Sequence, residues 1–152
     1  MTDGTLVGTA AYTLPLPEGW TDRTAVTLVA PPSGEGFSAN VVVTRQALCD
    51  NLGLGGFADG HAALIREHAT EYAVLATEHG ELDGERCLLR TVRWRVGDEP
   101  AVQQLQAFCV RDGHGVAVIG SAAAERFAEA EPYFRRTLDG FRFAPAPVAA
   151  AR

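Results

Sequence analysis

Four His and three Cys are the side chains best suited to nucleophilic, acid–base or metal chemistry in this chain. His61 and His68 stand seven apart, two helical turns, whereas helical metal pairs sit at i, i+4. His79 and His114 fall near turns, and no Cys/His spacing matches a zinc signature. A Cys nucleophile needs a positioned base and a depressed pKa. Cys87 and Cys109 instead sit in apolar runs, where thiols are usually buried and inert. Ser121 follows a Gly but lacks the G-x-S-x-G elbow. The glycines of Asn51–Gly56 (NLGLGG) form neither G-x-G-x-x-G nor a Walker loop. Asp98-Glu99 reads as a solvated turn. No catalytic residue, metal site or cofactor is therefore expected, and the residues point to a binding protein rather than an enzyme.

The elements that carry these residues are mostly strands. Strand-like runs cover Ala10–Leu16, Thr24–Ala30, Ser38–Gln46, Tyr72–Glu78, Arg86–Val96, Ala101–Val110 and Gly115–Ser121. Turn signals stand at Pro17–Trp20, Gly34–Gly36, His79-Gly80, Gly97–Pro100 and Gly113, with a Gly-rich loop at Gly53–Gly56. One helix is read from Phe57, His61, Leu64, Ile65, His68 and Tyr72 at spacings of three and four, with Asp59 as its N-cap. A second is read from Phe127, Ala130, Phe134, Leu138 and Phe141. Pro132 should restart that helix and Gly140 should end it as C′. The expected fold is α+β: a single antiparallel sheet with both helices packed on one face.

At 152 residues the chain is one domain, expected over 1–143, with a flexible Pro/Ala tail at 144–152. Its 13 basic residues are all Arg, and 19 acidic residues give a net charge of −6, which argues against general nucleic-acid binding. The longest stretch without a charge, Gly4–Pro17, is too short to span a bilayer. The start shows no secretory signal and no lipid-attachment Cys, so a cytoplasmic protein without a direct membrane anchor is expected. The odd Cys count without C-x-x-C fits reduced thiols.

The strand faces carry the functional signal. A half-exposed antiparallel sheet alternates apolar and polar residues. Here Val41–Val43 and Val116–Ile119 are apolar on both faces. If both helices cover one face, the other stays partly apolar and marks an interaction surface. The alternative is that the chain's own loops roof it over. On the first reading the binding residues are Val26, Leu28, Val41, Val42, Val43, Thr91, Gln104, Gln106 and Phe108.

The run LPLPEGWTDRT from Leu14, then Asn40–Arg45 (NVVVTR), resembles the start of DcrB-like domains. The turn with Gly84 and Arg86, the strands LLRTVRWRV, VQQLQAF and GVAVIGS, and the closing Phe127–Phe143 segment fit as well. The resemblance spans roughly residues 10–143 and implies a Mog1/PsbP-like fold. Members of this length resemble Eag-type chaperones of type VI secretion effectors. That likeness implies a homodimer that holds the hydrophobic N-terminal segments of a secreted effector before export. The alternative it implies is an adaptor for a soluble protein partner or a small ligand.

Overall fold

The computed structural model describes residues 5–8, 13–32, 36–49 and 51–144. In chain order the elements are β1 (Thr5–Gly8), β2 (Thr13–Leu16), β3 (Ala25–Val29), β4 (Asn40–Ala47), α1 (Leu54–Arg66), β5 (Glu71–Leu82), β6 (Glu85–Arg95), β7 (Val102–Arg111), β8 (His114–Ala123) and α2 (Phe127–Gly140). β1 and β2 pair as a separate ribbon. The other six strands form one antiparallel sheet in the order β3-β4-β8-β7-β6-β5. The expected α+β architecture is present. The proposed tail lies outside the described residues apart from Ala144, as does the expected strand over Ala10–Leu16 before Thr13.

Two Asp-Gly turns set the register of the meander. Asp83-Gly84 (φ 50° and 80°) joins β5 to β6, and Asp112-Gly113 (φ 51° and 73°) joins β7 to β8. Positive φ at both central residues is the tight-hairpin conformation that matches strand twist. The expected turn at His79-Gly80 is absent, because β5 runs on through both residues to Leu82.

The helices do not share a face. A Cβ on Gly115 would meet the Phe57 ring of α1, and one on Gly120 would meet the Phe134 ring of α2. These glycines are five positions apart on β8, which pairs with both neighbours without a register shift. Odd spacing on a strand means opposite faces. Accordingly, Leu105, Ala107, Val118 and Ala122 pack with Phe127, Phe134 and Leu138 of α2. Phe108, Ala117 and Ile119 pack with Phe57 and Ala58 of α1. The central strands are apolar on both sides because each side has its own helix.

α1 begins at Leu54, so Gly55 and Gly56 are helical, and its cap position is Gly53 rather than Asp59. Leu54, Phe57, Ala58, His61, Ala62 and Ile65 extend one stripe at helical spacing, which carries the helix start back through Gly55 and Gly56. Asp59 instead accepts a hydrogen bond from Arg90 Nη2 at 2.9 Å. The helix stops at Arg66, and Tyr72 belongs to β5. α2 is one helix with Pro132 inside it, and Gly140 is its last residue, followed by an extended Phe141. A short 3-10 turn, Ala124–Arg126, leads into it from β8.

Candidate functional site

An apolar surface lies open at one edge of the sheet, beside a groove. All five residues of β3 are exposed, among them Val26 (49%), Leu28 (54%) and Val29 (64%). Beside them a groove of about 550 Å³ runs between β3, the start of β4 and α2. Leu28, Phe37, Val41, Ala130, Tyr133 and Phe134 line it. Polar groups sit among them: Asn40, Arg126, Glu129 and Thr137. Tyr133 is 65% exposed, and the Arg136 guanidinium lies 4.5 Å from its ring centroid.

The main chain of β3 is open as well. Ala30 N–H donates to Ala39 O at 2.8 Å, in register with Val29↔Asn40. In an antiparallel pair the bonded direction alternates residue by residue. Val26 and Leu28 therefore bond to β4, while Ala25, Thr27 and Val29 turn their N–H and C=O outward. Among the described residues no strand pairs with that side. The strand carries no charge, Pro or bulge, the usual devices that blunt an edge. The opposite edge has them: β5 shifts register between Val74 and Ala76 and carries Glu71, Glu78 and Glu81. Arg135 of α2 holds Glu78 there at 3.0 Å.

The structure separates the residues expected to bind. Leu28 and Val41 line the groove, and Val26 is exposed on the same strand face outside it. Val43 is Val26's cross-strand partner and lies half-buried on the same face. Thr91 is on that face too, but on β6, three strands further along. Val42, Gln104, Gln106 and Phe108 face α1. Gln106 and Phe108 are 1% and 0% exposed, so they are core here and not contact residues. Gln106 Nε2 donates to Gln104 Oε1 at 2.9 Å, and Gln104 Nε2 donates to Ser121 Oγ at 2.9 Å. The glutamines satisfy one another under α1. Val29, Phe37, Ala130 and Tyr133 were not singled out as binding residues from sequence. Tyr133 carries a signal only as the neighbour of the buried Phe134, and Val29 only as part of the uncharged run Ala25–Val29.

The reactive side chains stay apart from the groove. His61 packs edge-on against Phe108, ring centroids 5.4 Å apart, and burial pulls its pKa below the usual imidazole range. Burial pushes the Cys109 thiol up to about 11 and raises that of Cys87. Cys49 is exposed. Among the described residues no three His, Cys, Asp or Glu side chains are grouped to hold a metal ion, and no helix is long and apolar enough to cross a membrane.

A six-stranded antiparallel sheet flanked by helices is a fold shared with known structures. A protein of unknown function from Pseudomonas aeruginosa, PA94, described as a candidate regulator, matches with TM-score 0.78 and 15% identity over 94% of this chain and 99% of that one. Cyanobacterial PsbP (CyanoP) from Synechocystis matches at 0.51 and 14% identity, covering 89% of this chain and 88% of that one. The Saccharomyces cerevisiae Ran-binding protein Mog1p matches at 0.54 and 13% identity, covering 88% and 85%. The fold is thus of the Mog1/PsbP-like class. Within that class the chain belongs to the DcrB family, whose pattern it matches over residues 12–137. No curated protein shows significant sequence similarity to it.

Proposed function

We propose that this DcrB-family domain is a non-catalytic chaperone or adaptor that seats an apolar segment of a client protein in the groove between α2 and β3. The client in view is a secreted effector with hydrophobic N-terminal, pre-transmembrane segments. The observation that carries this reading is an exposed, uncharged edge strand continuous with an apolar groove. Burying such a segment there stabilises it by roughly 25 cal/mol per Å² of apolar surface removed from water.

β3 flanks the groove with five residues, about 17 Å of strand, whereas a membrane-length helix is about 30 Å long. A homodimer resolves this. Two copies can pair β3 against β3 about a two-fold axis at Thr27, matching Ala25 with the partner's Val29. Each outward residue then finds an outward residue, giving about six main-chain hydrogen bonds. An axis perpendicular to the sheet leaves Val26 and Leu28 of both copies, and both α2 helices, on one side. The two grooves then open onto a single apolar strip. A second reading, a pocket for a small apolar ligand, is favoured by the groove volume alone, which falls in the range of ligand sites.

The test uses a labelled 20-residue Leu/Ala helix peptide with polar ends. The expected result is saturable binding that keeps the peptide soluble, weakened at least tenfold by Leu28→Glu or Tyr133→Glu with unchanged melting temperature, since both side chains are exposed and line the groove. Equal binding by these variants, or none by the parent protein, overturns the client reading. Binding of small lipids or metabolites in place of the peptide supports the second.

A further inference from the structure

We infer that Cys87 and Cys109 form a disulfide site, closed by a glutathione-type disulfide oxidant while the sheet assembles. The two cysteines are direct cross-strand partners in the β6–β7 register. Both are essentially fully buried, at 1% and 0% exposure, in the cluster beneath α2. Their side chains thus share one face and one space.

The bonding direction refines this geometry. Ala124 N–H donates to Ala101 O at 2.9 Å, in register with Val102↔Ala123. Odd-numbered residues of β7 therefore bond to β8. Cys109 is one of them, so toward β6 it forms a non-hydrogen-bonded pair with Cys87. Such pairs hold their Cα atoms about 4.5 Å apart, with side chains closer than at bonded sites. That lies within the roughly 4.4–6.8 Å a disulfide requires. The third cysteine, Cys49, lies just after β4, outside this register.

The chemistry balances in two exchanges. One cysteine thiolate attacks a sulfur of oxidised glutathione, whose S–S bond breaks and releases one glutathione thiolate. The second cysteine thiolate then attacks the protein sulfur of the mixed disulfide and displaces the other glutathione. The two protons lost by the cysteines end on the two glutathione thiols. Burial of both thiols in the folded protein keeps thiolate scarce and oxidant out. Closure therefore belongs to the open β6–β7 hairpin, and the finished sheet shields whichever state was reached.

The Cys49→Ala full-length protein isolates the pair without touching the core. It is held near its unfolding midpoint in a glutathione redox buffer, diluted to native conditions, alkylated and mapped by mass spectrometry. The expected product is a single covalent chain lighter by two hydrogens, with Cys87 and Cys109 peptides joined and neither alkylated. Its melting temperature rises by roughly 5–10 °C over the reduced form, because the bridge restricts the unfolded chain. The already folded reduced protein should stay alkylatable only after unfolding in the same buffer. Recovery of both thiols alkylated, or of bridges only between molecules, overturns the inference.

Discussion

Gly120 and Gly115 set how closely each helix approaches the sheet. A Cβ at Gly120 would stand 2.6 Å from Cδ1 of Phe134, and one at Gly115 would stand 2.7 Å from Cζ of Phe57. Both rings belong to buried side chains, so neither can swing into solvent without exposing apolar surface. Gly120→Ala should cost about 1–3 kcal/mol, as overpacking of a filled core does. Denaturant unfolding measures that loss. The same change should weaken binding of an apolar peptide, since Phe134 lines the groove. Gly115→Ala should destabilise comparably but leave peptide affinity unchanged, because its clash lies on the other face under α1. Equal effects of both variants on affinity would argue against the groove as the site.

At the scale of elements, β3 allows a test that separates edge from ladder. Thr27 sends its N–H outward, so Thr27→Pro removes only a donor that β4 does not use. Leu28 bonds to β4, so Leu28→Pro removes a bond of the sheet itself, in the position where Pro is least tolerated. Thr27→Pro should keep the circular-dichroism spectrum and convert a dimer to a monomer by light scattering. Leu28→Pro should lower the melting temperature as well. A Thr27→Pro protein that remains a dimer would place the contact elsewhere. The elements themselves were largely legible in the sequence. β6, β7 and β8 lie within two residues of their expected bounds, since these mostly apolar runs end at turns built on Asp and Gly. The side of the sheet taken by each helix was not legible, because periodicity shows that a helix has an apolar face and not what it faces. The clue was present in Val116–Ile119, where both strand faces are apolar. That pattern belongs to a strand covered twice, and the glutamines of β7 were hidden with it. The open surface lay instead in a five-residue edge strand, where exposure depends on which strand has a neighbour.

Across the whole molecule, stability should fall from the middle of the sheet to its β3 edge. β5 to β8 form a meander of chain neighbours, whereas the β3–β4 hairpin joins only by laying β4 against β8, far along the chain. β7 and β8 are buried through their middles and half-buried at their ends, and β3 is exposed throughout. Amide exchange reports such gradients, because core strands open only with the whole fold and edges open locally. Amides of β7 and β8 should therefore exchange slowest. Within β3 the pattern should alternate: Val26 and Leu28 protected by β4, Ala25, Thr27 and Val29 dependent on what covers the edge. In the Thr27→Pro monomer, the Ala25 and Val29 amides should exchange at close to the rate of free chain. In the parent protein at dimer concentrations, all three outward amides should slow together, and dilution should release them together. Adding apolar peptide should slow exchange around Leu28 and Phe37 beyond that, without altering the alternation. Outward amides that exchange freely at every concentration would mean that no strand docks there. Protection that persists in the diluted monomer would mean that the chain covers this edge itself.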